Sequence, residues 1–201
     1  MSNDITKAVN IIGSGALPDS TNATGLTMFY SPAGCSEFSV SGAASGGSIT
    51  GVYINTTCRI NGNCHVGGAD MTNYAFTRCR FGGGTLLVWN DHSFVSNLMF
   101  SECVFDNYIY GEYIQGVTFT KFFFGDYLQR FSSSCVFNNN VFLNHTYYNY
   151  ALYNISNCFF NNNIFCDAYA NIMSQGGSGC VFNNNIFQSA SVSLPGTDFN
   201  T

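Results

Sequence analysis

Charged residues are scarce in this chain, and long apolar runs are absent. Its 201 residues include 6 lysines and arginines and 11 aspartates and glutamates. Nucleic-acid binding needs a concentrated basic face that neutralises phosphates, and so few scattered cations do not supply one. No segment approaches the run of about 18 apolar residues that a membrane-spanning helix requires. We therefore expect neither a nucleic-acid partner nor membrane insertion.

Metal-binding motifs are missing as well. The chain has nine cysteines and three histidines but no CxxC pair, so a zinc cluster is not expected. We predict no metal and no cofactor. An odd number of cysteines cannot all pair within one chain. Cys35, Cys64 and Cys166 lie outside the main columns of the repeat described below, and the sequence does not show whether they are exposed.

Phenylalanine, tyrosine and asparagine are abundant instead. The chain has 20 Phe, 12 Tyr and 25 Asn, so asparagine alone outnumbers all 17 charged residues. A hydrophobic content of 46% excludes a disordered, highly charged chain. This length is typical of one domain with its own core, and we predict a single domain over residues 1–201.

Three nearly identical segments stand in the second half of the chain. They are CVFNNNVF from Cys135, CFFNNNIF from Cys158 and CVFNNNIF from Cys180, with starts 23 and 22 residues apart. Internal repeats at a period of roughly 20 to 50 residues are typical of solenoids. Weaker upstream copies with the same apolar spacing extend the pattern to seven rungs.

Each rung contributes to two apolar columns. We assign to the first column Ile54, Phe76, Phe100, Phe119, Phe137, Phe160 and Phe182. We assign to the second column, five positions later, Phe81, Phe105, Phe124, Phe142, Phe165 and Phe187, with Ile60 six positions later in the first rung. Because side chains alternate along a strand, the residue two before the first column faces the same way. We therefore expect the thiols of Cys135, Cys158 and Cys180 to be buried and inert.

Three consecutive asparagines separate the two columns in the last three rungs. A step of five breaks strict alternation, so a bend must lie between the columns. Asparagine tolerates left-handed backbone geometry, and amides stacked at one corner of successive coils bond to one another along the axis. Upstream, we assign the third corner position to Cys58, Cys79, Cys103 and Phe122. Because these residues are apolar, we expect this position to face inward and the downstream asparagines to form an internal ladder.

Coils of this length, built from two or three short strands, predict an all-β fold, a right-handed parallel β-helix of about seven to eight coils. The C-x-F-N-N-N-[IV]-F copies and the early segment KAVNIIGSGALPDSTNATGLT resemble the pectin-lyase-like right-handed parallel β-helix superfamily, over about Ala8 to Phe187. The resemblance is to the type found in bacterial surface proteins. It implies a fold, but that superfamily includes polysaccharide lyases, polygalacturonase-type hydrolases, adhesins and phage tailspikes, so fold alone does not choose a function.

Acidic residues near the middle of the chain are the best candidates for catalysis. We consider Asp106, Glu112 and Asp126, with Arg130 nearby. Inverting glycoside hydrolases need one protonated and one ionised carboxyl group several ångströms apart. The same residues also fit a solvated turn edge, where aspartate is common, so none is assigned a catalytic role.

Aromatic residues concentrate in the variable segment of each coil. The candidate ligand-binding set is Trp89, Tyr108, Tyr110, Tyr127, Tyr147, Tyr148 and Tyr169. Alternation turns about half of such residues outward and forms an aromatic stripe, on which sugar rings stack while their hydroxyls bond to polar groups. Packing inside the core or under loops is the alternative interpretation.

We therefore expect a noncatalytic β-helix module of a bacterial surface or phage-associated protein that contacts a polysaccharide or another glycan. A polysaccharide lyase or glycoside hydrolase and a protein-binding scaffold remain alternatives. Open edges of a β-helix also predict end-to-end or lateral self-association. The segment MSNDITKAVNIIGSG lacks a basic leader and a long apolar run. An extracellular or cell-surface location then implies a fragment of a longer β-helix whose export signal lies elsewhere.

Overall fold

The computed structural model shows a parallel β-solenoid. It describes residues 3–15, 25–30, 37–60, 70–83, 86–88, 94–111, 114–131, 134–143, 150–166, 171–176, 178–188 and 198–200. Their regular structure is β-strand, apart from a 3-10 turn at Gly42–Ala44. The all-β fold class predicted from the sequence is confirmed. Within the described part of the chain, no helix is long and apolar enough to cross a membrane.

Three long parallel sheets and one short sheet build the solenoid. The first sheet contains Asn10–Ile12, Ser48–Thr50, Ala75–Thr77, Met99–Ser101, Thr118–Thr120, Val136–Asn138, Phe159–Asn161, Val181–Asn183 and Asp198–Asn200. The second contains Met28–Tyr30, Tyr53–Asn55, Arg80–Phe81, Val104–Phe105, Phe123–Phe124, Val141–Leu143, Ile164–Cys166 and Ile186–Gln188. The third contains Asn3–Ile5, Glu37–Val40, Thr57–Ile60, Leu86–Val88, Ile109–Gly111, Leu128–Gln129, Tyr150–Ile155 and Asn171–Gly176. The short sheet contains Met71–Thr72, Val95–Ser96 and Ile114–Gln115.

One turn of the chain visits the sheets in a fixed order. The coil that begins at Ala75–Thr77 continues through Arg80–Phe81 in the second sheet and Leu86–Val88 in the third. It then passes Val95–Ser96 in the short sheet and re-enters the first sheet at Met99–Ser101. Each strand pairs in parallel with the strand one coil away, so the backbone hydrogen bonds run along the solenoid axis.

The first apolar column lies in the middle of the first sheet. Phe160 aligns with Phe137 on one side and with Phe182 on the other. The ring centroids are 4.6 Å and 4.5 Å apart, with planes inclined by 5° and 8°. In-register parallel strands place equivalent side chains about 4.8 Å apart, which brings successive rings into contact. The phenylalanine column predicted from the repeat is confirmed.

The assignment of the first rung is wrong by one strand. Ile49, rather than Ile54, aligns with Phe76 in the first sheet. Ile54 aligns with Phe81 in the second sheet, and Ile60 lies in the third. The step of five residues between the columns is therefore kept in this coil too. Strands of all three sheets alternate inward and outward residues, so alternation alone did not tell one sheet from the next.

The corner assignment of Cys58 is wrong for the same reason. Cys58 is buried in the third sheet, where it aligns with Leu86. Because Arg80 aligns with Tyr53, the corner residue one coil before Cys79 is Val52. The other apolar residues assigned to this corner are buried there as predicted, and they are Cys79, Cys103 and Phe122.

The asparagine ladder predicted at this corner is confirmed. Asn140 and Asn163 are buried, and the Nδ2 of Asn163 donates to the Oδ1 of Asn185 at 3.0 Å. Asn163 also donates to the backbone carbonyl of Phe137 at 2.9 Å. Because each buried amide is satisfied by its neighbours, a polar column is tolerated directly beside the phenylalanines.

The thiol column before the first sheet is also as predicted. Cys135, Cys158 and Cys180 are buried, and none of them forms a disulfide. They pack as small apolar groups against the phenylalanine column.

The number of coils differs slightly from the predicted seven to eight. The first sheet has nine strands, and the second and third have eight each. The seven rungs assigned from the repeat do not include the coil that contains Ile11 and Phe29, or the last strand with Phe199. These strands lie in segments where the asparagine motif is absent, so nothing in the repeat marks them.

Candidate functional site

The outward side of the third sheet carries Tyr110 of the predicted ligand-binding set together with Tyr153. Tyr110 aligns with Gln129, and Gln129 aligns with Tyr153. All three side chains are half-buried, whereas the neighbouring Ile109, Leu128 and Leu152 are buried in the core. Alternation along the strands produces this separation, because Ile109 and Leu128 point into the solenoid and the next residue points out.

A pair of stacked tyrosines lies beside Tyr110, Gln129 and Tyr153, where strands of the third sheet begin. The rings of Tyr108 and Tyr127 stack with centroids 5.1 Å apart and planes 9° from parallel. Tyr108 is half-buried, but Tyr127 retains only 7% of its exposure. Tyr127 therefore stacks on the Tyr108 ring from the next coil and presents little of its own face to solvent.

Arg130 fixes the position of Tyr110. Its Nη1 donates to the phenol oxygen of Tyr110, and its guanidinium carbon lies 5.3 Å from the centroid of the Tyr110 ring. A cation over an aromatic ring is attracted by the electron density of that ring. The exposed guanidinium and the half-buried ring together form a surface with one flat apolar part and one charged part.

We define the tyrosine face as Tyr108, Tyr110, Gln129, Arg130 and Tyr153. Gln129 and Tyr153 were not in the predicted ligand-binding set. The signal that identifies them is alternation, since each directly follows a buried leucine of the third sheet. The face thus offers aromatic rings, one amide and one guanidinium, a combination that suits a flat, polyhydroxylated ligand.

Asp106, a predicted catalytic candidate, forms an ion pair. Its Oδ2 lies 2.8 Å from the Nε of Arg80, and both side chains are partly exposed. The hydrogen bond from Arg80 to Asp106 raises the pKa of the arginine. The same guanidinium lies over the ring of Tyr53, at 5.4 Å from its centroid. Asp106 is thereby tied to the second sheet.

The other described candidates, Asp126 and Arg130, flank a strand of the third sheet. Asp126 precedes the strand Leu128–Gln129, and Arg130 follows it. Asp126 accepts a hydrogen bond from the backbone nitrogen of Tyr127, as in an aspartate-stabilised turn. Asp106 and Asp126 therefore stand before the strands of this sheet, and Arg130 stands after them. The catalytic grouping stays a prediction, because Glu112 lies outside the described residues.

Several other predicted residues also lie outside the described ranges. They are Trp89, Tyr147, Tyr148 and Tyr169 of the ligand-binding set, and Cys35 and Cys64.

The pKa shifts of the buried thiols go in both directions. Burial raises the pKa of Cys58 and of Cys103. Hydrogen bonds with Cys135 and Cys180, together with burial, raise the pKa of Cys158, and the same thiol contacts lower the pKa of Cys135 and Cys180. A hydrogen bond with Cys103 likewise lowers the pKa of Cys79. A thiol with a raised pKa stays protonated and is a poor nucleophile. Cys166 is half-buried at the end of the second sheet. Within the described ranges, no three histidine, cysteine or acidic side chains come together as a metal site.

Comparison of the chain with protein-family models, with curated proteins and with solved structures found no match.

Proposed function

We propose that this protein is a noncatalytic β-solenoid module that contacts glycans through the tyrosine face. The observation that carries the proposal is the arrangement of Tyr110, which is half-buried, held by Arg130 and aligned with Gln129. A sugar ring stacks its C–H face on an aromatic ring, and its hydroxyls bond to nearby amide and guanidinium groups. Because the ring is fixed before binding, little conformational entropy is lost when the ligand arrives.

The parallel solenoid also supports a proposal about the family of this protein and its location. We infer a relationship to the pectin-lyase-like superfamily, in the role of a bacterial surface or phage-associated module. The support is the stacked Phe and Asn columns beside a short motif repeated at about one coil. In this setting an extended glycan lies along the outer face, where the rungs repeat at regular intervals.

Calorimetric titration with a panel of neutral and acidic oligosaccharides tests the binding proposal. For the glycan that binds, Tyr110→Ala should weaken affinity roughly threefold to tenfold, the range expected when one aromatic contact is lost. Tyr110→Phe keeps the ring and should retain most of the affinity. Phe159→Ala removes an exposed ring of the first sheet and is the matched control. No binding across the panel, by a protein with a native circular-dichroism spectrum, would refute the proposal.

A second candidate function is protein contact, which exposed apolar side chains of the first coil favour. Ile12 is 82% exposed and Tyr30 is 65% exposed. We propose that these side chains take part in self-association. The next coil supplies the matched replacements, because Ile12 aligns with Thr50 and Tyr30 with Asn55. Light scattering should show an oligomer that the pair Ile12→Thr and Tyr30→Asn dissociates, and a monomeric parent protein would contradict this.

A further inference from the structure

The corner between the first and second sheets has the same backbone conformation in successive coils. Its second residue has a positive φ throughout the later coils: Asn139 at 57°, Asn162 at 56° and Asn184 at 53°. The equivalent residues of the three preceding coils are Arg78 at 50°, Glu102 at 56° and Lys121 at 54°. Asparagine is enriched in this left-handed region, whereas long side chains are uncommon there.

The charged residues are therefore placed where local conformation does not favour them. Only 8% of the chain is charged, yet three consecutive coils put a charge at this one position. Strained backbone positions that a chain retains tend to coincide with functional sites. The corner of these coils is thus a candidate ligand site.

A cleft of about 450 Å³ opens at this corner. Its walls include Gly13, Ser14, Thr50 and Gly51 on one side and Arg78 and Glu102 on the other. A Cβ added at Gly13 would lie 2.4 Å from the carbonyl oxygen of Gly51. The backbones at Gly13 and Gly51 therefore lie as close together as two backbones can. Both segments line the cleft. The volume lies in the range of small-molecule sites, which is roughly 300 to 1,000 Å³.

The charges in this cleft are unequally matched. Glu102 is 3.8 Å from the ammonium group of Lys121, which lies one coil further on. Arg78 is exposed, and its guanidinium has no ion-pair partner among the residues that the structure describes. The cleft walls thus carry one positive and one negative charge, and of the two only Glu102 has an ion-pair partner among the described residues.

We propose that this cleft binds a hydroxylated monocarboxylate, such as a sugar acid. The guanidinium of Arg78 presents parallel N–H donors that match the two oxygens of one carboxylate. The carboxylate of Glu102 accepts hydrogen bonds from ligand hydroxyls, and the hydroxyl of Thr50 adds a neutral donor or acceptor. Because Glu102 repels a second negative charge, a monoanion is preferred over a dianion. This site lies on a different side of the coil from the tyrosine face, so neither proposal depends on the other.

The chain supplies its own conservative replacement for the test. Arg78→Asn and Glu102→Asn install the residue that the same corner position holds in three other coils, so both variants should fold. Binding of gluconate is followed by NMR chemical-shift changes, with sorbitol as the neutral probe of similar size. We expect Arg78→Asn to raise the Kd for gluconate at least tenfold and Glu102→Asn to abolish the preference for gluconate over a dicarboxylic sugar acid.

Two controls keep the result specific. Lys121→Asn removes a cation from the same corner outside the cleft walls and should change the Kd less than threefold. Phe159→Ala removes an exposed ring outside the cleft walls and should leave gluconate binding unchanged. The proposal is overturned if gluconate does not bind, if sorbitol binds equally well, or if Arg78→Asn binds gluconate as the parent protein does.

Discussion

The Nδ2 of Asn140 donates a hydrogen bond of 3.0 Å to the Oδ1 of Asn163 in the next coil, and both side chains are buried. The same oxygen also accepts from the backbone nitrogen of Asn140 at 2.9 Å. The Asn163 side chain thus accepts hydrogen bonds from both the buried side-chain amide and the backbone nitrogen of Asn140, at the corner where the chain turns. Without this oxygen, two donors of Asn140 have no acceptor in a place that water does not reach.

We predict that Asn163→Ala lowers the free energy of unfolding by about 2 to 4 kcal/mol, since it leaves buried donors unsatisfied and opens a small gap. Urea denaturation monitored by circular dichroism measures the loss. Asn161→Ala is the matched control, because Asn161 belongs to an outer, half-buried ladder with Asn138 and Asn183. Its cost should stay below about 1 kcal/mol, and equal losses for both variants would contradict the distinction.

The phenylalanine column offers a second matched pair of adjacent residues. Phe160 is fully buried and stacks on both Phe137 and Phe182, whereas Phe159 is 42% exposed. We expect Phe160→Ala to cost about 3 to 5 kcal/mol and Phe159→Ala less than about 1 kcal/mol. Chemical denaturation of the two variants side by side gives the comparison. A small loss for Phe160→Ala would show that the column contributes little to stability.

The contribution of Cys58 to stability should depend on pH in the alkaline range, because burial raises the pKa of this thiol in the folded state. Well below a pH of about 8.5 the Cys58 thiol is protonated in both states. At higher pH the unfolded chain releases a proton that the folded protein retains, so this contribution to stability falls as pH rises. The slope is at most about 1.4 kcal/mol per pH unit for each thiol.

Urea titrations under reducing conditions from pH 7 to 10 measure this slope. Cys58→Ala removes one titrating thiol and should make the slope shallower. Equal slopes for the parent protein and Cys58→Ala would mean that the Cys58 thiol is accessible to solvent in the folded protein.

The ion pair between Arg80 and Asp106 should contribute little to stability. Both side chains are about one-third exposed, and solvent screens such a pair. We expect Asp106→Asn to lower stability by less than about 1 kcal/mol, and the difference should shrink at high salt. A double-mutant cycle with Arg80→Gln isolates the pairwise energy. A coupling well above 1 kcal/mol, or one that salt does not change, would contradict this view of the pair.

Much of the fold was predictable because the repeat itself encodes register. The three CxFNNN segments place Phe137, Phe160 and Phe182 at equivalent positions, and parallel pairing in register then stacks them. The inward asparagines and thiols followed from the same spacing. The prediction was wrong in the first rung, at Ile54, because each of the three sheets alternates in the same way and no asparagine marks the corner there.

Less of the candidate site was predictable, because its members come from segments that vary between coils. The sequence placed Tyr108, Tyr110 and Tyr127 in the variable segments of successive coils but did not show that Tyr127 is buried and stacks on Tyr108. It also grouped Asp106, Glu112 and Asp126 with Arg130 in adjacent rungs, a grouping that stays a prediction. The sequence did not show that Asp106 pairs with Arg80 or that Arg130 contacts Tyr110.

The amino-acid sequence by itself determined the period, the phenylalanine columns and the asparagine ladder. Side chains alternate along each strand, and when the repeats stack on one another only one arrangement buries the apolar residues. Only the tertiary structure decided which outward side chains become neighbours. Those contacts join different coils through connections of unequal length, and their register depends on how each turn closes rather than on any local pattern. The pairing of Arg130 with Tyr110 and the cleft beside Arg78 arise at that level.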